Sequence, residues 1–181
     1  MPLPKMDKDW TLFLDRDGVI NVENPLGYIN TWEEFVFNDG VKEAMRILES
    51  RFKYILVVSN QRGVARGITN PENLAAIHQN MKAAIEATGG RIDQVYFCTD
   101  IDASSPNRKP NPGMGLQAKT EFNNIDFSKS VMVGNNLSDM QFGRNLGCTT
   151  IFLTTTNAYN EQEVTLIDAT FDSLLSFAVA L

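Results

Sequence analysis

A chain of 181 residues, 43% of them hydrophobic, is long enough to bury one sizeable core, and short enough that residues 1–181 are expected to form a single domain. A net charge of −6, with no clustering of the 16 Lys and Arg residues, argues against a nucleic-acid partner. Two cysteines, Cys98 and Cys148, are too few for a disulfide framework. There is no membrane-length apolar run, and Met1-Pro2-Leu3-Pro4-Lys5 does not open as a signal segment. A cytoplasmic protein with no membrane partner, monomeric or weakly homo-oligomeric, is expected.

In chain order, Trp10-Thr11-Leu12-Phe13-Leu14 reads as a buried strand. A helix follows, with Val41, Ala44, Met45 and Leu48 on one face at i, i+3, i+4 and i+7. Tyr54-Ile55-Leu56-Val57-Val58 is a second strand. Asn70-Pro71 opens a helix as cap and first-turn proline; Leu74, Ile77, Met81 and Ile85 continue it, and Gly89-Gly90 can end it. Val95-Tyr96-Phe97-Cys98 is a third strand, and Asn111-Pro112 marks another helix start. Val131-Met132-Val133 is a fourth strand, followed by a short helix from Ser138 to Leu146 that Gly147 closes. Thr150-Ile151-Phe152-Leu153 is a fifth strand, and a last helix is expected from Phe171 to Ala180. Continuous rather than alternating hydrophobicity marks strands covered on both faces. The alternation with helices predicts a doubly wound, mostly parallel α/β sheet.

In such sheets ligands bind beyond the carboxyl ends of the strands. The residues that follow the first four strands are Asp15-Arg16-Asp17-Gly18, then Ser59-Asn60-Gln61, then Cys98-Thr99-Asp100 with a loop reaching Arg108-Lys109, and finally Gly134-Asn135-Asn136 with Asp139. Two carboxylates side by side repel, which raises one pKa or recruits a cation. A Mg²⁺ ion held by one carboxylate and nearby carbonyls relieves that repulsion. One Asp can then attack phosphorus, and the other can move a proton to the leaving group and from water. Lys109 can neutralise charge, while the Ser59 hydroxyl and loop N–H groups hold phosphate oxygens.

These four segments resemble, in order, the four motifs of haloacid dehalogenase-type phosphatases. Asp15-Arg16-Asp17-Gly18 resembles DxDG, Ser59 the strand-ending Ser/Thr, Arg108-Lys109-Pro110 the basic motif, and Gly134-Asn135-Asn136-Leu137-Ser138-Asp139 the GDxxxD motif. Within the superfamily, three tracts are similar to the branch that holds the heptose bisphosphate and histidinol phosphatases. They are Glu34 to Val41, Ser59-Asn60-Gln61-Arg62-Gly63-Val64-Ala65-Arg66-Gly67, and Arg108-Lys109-Pro110-Asn111-Pro112-Gly113-Met114. The resemblance implies Asp15 as nucleophile and metal ligand, Asp17 as general acid/base and carbonyl ligand, and Ser59 and Lys109 as phosphate-holding groups. Asn60 and Arg108 match substrate contacts, and Gln61, Arg62 and Asn136 are further candidates. Asp15, Asp17, Asn135 and Asp139 form the expected Mg²⁺ set, and the substrate is a small phosphorylated metabolite, most like a sugar bisphosphate.

The intervals between motifs are filled by single helices and loops, so no separate cap domain is expected. Short loops then shape substrate choice: a flap from Val22 to Thr31 with Gly27-Tyr28 at its tip, and the loop from Gly63 to Gly67. Trp32 and Phe35 are expected to anchor the flap. His78 is expected to pack or lie on the surface, Arg66 to be solvated, and Cys98 to be a small buried residue. Two departures from the pattern stand out. Asn135 occupies the place of a metal-binding Asp, which predicts weaker Mg²⁺ binding unless Asp139 reaches the ion directly or through water. The loop from Cys98 to Asn107 has one thiol and no histidine, so no zinc is expected and turns and hydrogen bonds must hold it. Two alternatives stay open: a histidinol-phosphate phosphatase with Asp100 or Asp102 facing the substrate amine, and a weakened phosphate-binding module.

Overall fold

The computed structural model describes residues 3–159 and 163–181; Met1 and Pro2, which open the N-terminal tract, lie outside them. The strands are β1 (Thr11–Leu14), β2 (Tyr54–Asn60), β3 (Gln94–Cys98), β4 (Ser130–Gly134), β5 (Thr149–Leu153) and β6 (Ala169–Phe171). They form one parallel sheet in the order β3-β2-β1-β4-β5-β6. The helices are α1 (Val41–Glu49), α2 (Pro71–Glu86), α3 (Gly113–Glu121), α4 (Leu137–Leu146) and α5 (Leu174–Ala180).

The period-two alternation of strand side chains sorts the core into two layers. Leu12, Leu14, Ile55, Val57, Val131 and Val133 pack with Val41, Leu48, Ile77 and Phe177, from α1, α2 and α5. Phe13, Leu56, Val58 and Met132 face the other way, onto Met114, Ala118, Phe142 and Leu146 of α3 and α4. This double cover explains why the central strands carry no polar alternation. Leu48 is fully buried, so truncation to Ala there costs about 2–5 kcal/mol through lost transfer energy and an unfilled cavity.

The sheet continues one strand beyond the sequence prediction. Ala169–Phe171 pairs with Ile151–Leu153 at the edge, where three partly exposed residues give no hydrophobic signature. The last helix therefore starts at Leu174 rather than Phe171, with the Ser173 hydroxyl accepting from Ser176 N–H at 3.1 Å. The helix expected from Asn111-Pro112 starts at Gly113.

From β1 the chain steps outward to β2 and β3, then returns to β4 on the other side of β1. The connections leave the sheet in opposite directions on either side of this point, opening a crevice beyond the carboxyl ends of β1 and β4. No inserted domain interrupts the alternation among the described residues.

Candidate active site

Asp15 is rooted at the switch point, where its N–H donates to the Val133 carbonyl at 3.0 Å. The chain then folds back sharply, with the N–H groups of Val19, Ile20 and Asn21 all on the Arg16 carbonyl at 3.2, 2.8 and 3.2 Å. Gly18 sits at φ +83, and a Cβ there would lie 2.0 Å from Asn135 Nδ2. Only glycine meets both demands.

Arg16 is completely buried. It donates twice to Asp17, at 2.9 and 3.1 Å, and once to His78 Nε2 at 3.3 Å. Asn21 Nδ2 adds a bond to Asp17 at 2.9 Å, and Gln61 Nε2 donates both to Asp17 and to Ser59 Oγ at 2.8 Å. Burial pushes the Asp17 carboxyl up, but the Arg16 guanidinium with the Asn21 and Gln61 bonds outweighs it and holds the group below the usual carboxylate range. Burial, then the Arg16 charge, push His78 down to about 3, so it stays a neutral acceptor. His78 thus packs as expected, but against the first motif, which its position in sequence gave no sign of.

Lys109 is buried, and its Nζ reaches Asp15 Oδ1 at 2.8 Å, Asp139 Oδ1 at 2.6 Å and the Val58 carbonyl at 2.8 Å. Burial opposes the ammonium charge, but Asp139 and Asp15 overcome it and raise the Lys109 pKa. Asp15 is pushed up to about 7, chiefly by burial and then by Asp139, with Lys109 pulling the other way. The Lys109 main chain is clamped from both sides by Asn60: Nδ2 donates to its carbonyl and Oδ1 accepts from its N–H, each at 3.0 Å. Asn60, expected only as a substrate contact, therefore fixes the lysine. Asp139, expected among the metal ligands, has one oxygen on Lys109 and the other on Asn136 N–H at 3.0 Å. It serves the lysine and the start of α4.

Asn135 is fully buried. Its Nδ2 points at Glu23 Oε2, 3.0 Å away, and at Thr156 Oγ1, 3.2 Å away. Asn157 Nδ2 donates to the Asn135 carbonyl at 3.0 Å and to Asn136 Oδ1 at 2.8 Å. Burial raises the pKa of Glu23, against the bonds from Thr156 and Asn135.

A cavity of about 380 Å³ opens over these groups, a volume suited to a small ligand. Asp15, Asp17, Asn60, Gln61, Arg62, Arg108, Lys109, Asn136 and Asp139 line it, joined by Glu23 and Tyr28 from the flap. Ser59 and Asn135 are buried and outside that lining, and Arg66 is exposed as expected. Sequence reading missed Glu23, the Arg16–His78 pair and the segment Thr155 to Asn157. Only the acidity of Glu23 within the flap offered a signal. At the flap base Trp32 stacks on Phe35 with centroids 5.0 Å apart, and Phe35 meets Phe37 edge-on at the same separation.

The loop after β3 is held by its own polar groups. Ser105 Oγ donates to Asp100, Asp102 accepts from Ser104, Arg108 donates to the Ile101 carbonyl, and Asn111 donates to the Ala103 and Ser105 carbonyls. Cys98 is buried at its start.

Among the described residues no three His, Cys, Asp or Glu side chains gather as a ready metal centre. The donors beyond β1 and β4 are mixed: the Asp15 carboxylate, the Asp17 carbonyl and the Asn135 amide. All are hard oxygens of the kind Mg²⁺ prefers. The residues therefore fit a hard divalent cation.

Comparison with known proteins agrees with this arrangement. The HAD-hydrolase-like family model matches residues 106–176. A D-glycero-alpha-D-manno-heptose-1,7-bisphosphate 7-phosphatase from Mycobacterium bovis is 32% identical over 172 residues, covering 94% of this chain and 90% of the relative. A D-glycero-beta-D-manno-heptose-1,7-bisphosphate 7-phosphatase from Vibrio cholerae is 38% identical over 173 residues, covering 90% and 91%. The D,D-heptose 1,7-bisphosphate phosphatase of B. bronchiseptica, solved with magnesium and phosphate, superposes with a TM-score of 0.82 at 25% identity, covering 94% of this chain and 96% of that one. The chain belongs to the heptose-1,7-bisphosphate 7-phosphatase family of haloacid dehalogenase-like hydrolases.

Proposed function

We propose that this phosphoric monoester hydrolase removes one phosphate from a sugar bisphosphate, a heptose 1,7-bisphosphate, through an aspartyl-phosphate on Asp15. The observation that carries the reading is the meeting of Asp15, Asp17 and Lys109 at one cavity, with Lys109 Nζ 2.8 Å from the Asp15 carboxylate. Mg²⁺ would be held by Asp15, the Asp17 carbonyl and Asn135, with Asp139 behind Lys109. When bound it supplies charge neutralisation for the phosphoryl oxygens and relieves the crowding of acids.

Asp15 attacks phosphorus in line with the departing sugar oxygen. Lys109, already pinned by Asn60 and Asp139, meets the developing charge without moving far, which is the economy of a preorganised site. Ser59 and the N–H groups at the end of β2 hold the remaining oxygens. Asp17 protonates the leaving oxygen, then takes a proton from the water that attacks the aspartyl-phosphate. The grip of Arg16 keeps Asp17 ionised in the resting protein. The added negative charge of an arriving phosphate favours its protonated form.

Arg62, Arg108, Gln61 and Asn136 face the cavity and suit a second phosphate and sugar hydroxyls. Asp100 and Asp102 spend their carboxylates on Ser105 and Ser104, outside the cavity lining, which disfavours an amine-bearing substrate. The chain would act in the cytoplasm, as a monomer or weak homo-oligomer, without zinc. The test is phosphate release from heptose 1,7-bisphosphate, histidinol phosphate and other phosphorylated metabolites with and without Mg²⁺. Preference for histidinol phosphate, or no turnover at all, would sink the reading.

A further inference from the structure

The amide of Asn135 is buried at the end of β4, and its orientation is fixed by chemistry. Nδ2 faces two oxygens, Glu23 Oε2 at 3.0 Å and Thr156 Oγ1 at 3.2 Å. Turned over, the amide would set its own oxygen against the Glu23 carboxylate. Glu23 belongs to the flap, 112 positions away in sequence, yet it reaches the cavity wall that Asp15, Asp17 and Asp139 share. Holding a half-buried carboxylate beside three others is costly unless a cation balances them. Of the buried cations here, Arg16 is committed to Asp17, and Lys109 to Asp15 and Asp139. Neither touches Glu23, whose partners are neutral donors that aim its charge without cancelling it.

We propose that Glu23 is the flap's contribution to the divalent-cation centre. It supplies the negative charge that the amide at position 135 lacks, and Asn135 and Thr156 act as positioning residues that hold it. The inference rests on the phosphatase reading above and deepens it. It makes cation affinity depend on the flap as well as on the strand ends, so that metal binding and flap position support each other.

The test is Mg²⁺ titration by calorimetry on the full-length protein without substrate, followed by melting of the metal-free and metal-loaded forms. Glu23→Gln is expected to weaken Mg²⁺ binding by about 10- to 100-fold, the range found when groups that support metal ligands are removed. Metal-free melting should stay close to that of the wild type. Glu23→Asp keeps the charge and is expected to keep most of the affinity. In the double variant Glu23→Gln/Asn135→Asp the carboxylate moves from flap to strand end, and binding should recover most of the lost affinity. Wild-type Mg²⁺ affinity in Glu23→Gln overturns the proposal, and a raised KM in that variant would make Glu23 a substrate contact instead. A double variant no tighter than Glu23→Gln also overturns it. A wild type that binds no Mg²⁺ removes the magnesium reading itself, which distinguishes the two failures.

Discussion

The floor and the rim of the crevice are built on different terms. The floor is Asp15, Asp17, Ser59, Lys109 and Asp139, buried or half-buried; its charged members are held by side chains from other elements and Ser59 by Gln61 beside it. The rim is the flap, the turn after β2 that carries Arg62, and the loop after β3, where Arg108, Asp100 and Asp102 bond within their own loop. The charged floor residues are cross-braced over long sequence separations, whereas the loop after β3 braces locally and the flap is tied back at Glu23 to Asn135. Errors in the floor should therefore be lost in kcat, and in stability as well where they strand a buried charge, and errors in the rim in KM alone.

The sharpest break is at the nucleophile. Asp15→Asn is expected to lower phosphate release by at least about four orders of magnitude while leaving the fold intact, since it replaces a buried charge with an isosteric neutral group. Folding should be checked by circular dichroism and activity by released phosphate. Lys109→Met removes the ammonium and strands Asp15 and Asp139 in the interior. It should cost about 3–5 kcal/mol of stability in denaturant titration as well as abolishing activity.

Gly18→Ala tests the packing beneath those charges. The left-handed backbone and the approach to Asn135 predict a loss of about 1–3 kcal/mol, or a displaced Asn135. Its Mg²⁺ titration should weaken in parallel.

The support behind Asp17 predicts a pH effect. The folded pKa of His78 is lowered from 6.5 to about 3. Its contribution to stability is therefore fully present above about 6.5 and is lost as pH falls from there toward 3, where the unfolded chain binds the extra proton. The slope is at most about 1.4 kcal/mol per pH unit. Denaturant titrations at neutral and mildly acidic pH should show this loss, and His78→Gln should flatten it. An unchanged slope in that variant would place the acid sensitivity elsewhere. The smallest effect belongs to the rim. Arg62→Ala should raise KM about tenfold with kcat nearly unchanged, the loss of one charge-assisted contact.

Much of the floor was legible because every member ends or follows a strand or lies in Arg108-Lys109-Pro110, and strand ends are readable from hydrophobic runs. The braces were not. Arg16 meets His78 across 62 positions, and Asn135 meets Glu23 across 112, and nothing in local pattern encodes such pairs. The motif points Asp139 at the metal, and local pattern gives no sign of the contacts its oxygens make with Lys109 and the start of α4. The edge strand Ala169–Phe171 escaped notice because three residues cannot display a period. The loop after β3, by contrast, could be read as held by its own hydrogen bonds because one thiol and no histidine cannot build a zinc site.

Asn60 gives the enzyme a form of modularity. Its amide grips both the N–H and the carbonyl of Lys109, so the lysine is registered against β2 rather than against the loop that delivers it. Residues 99–108 can then be rewritten, lengthened or restapled, and the substrate range changed, while the ammonium stays over Asp15. The joint between the interchangeable part and the fixed machine is a single carboxamide.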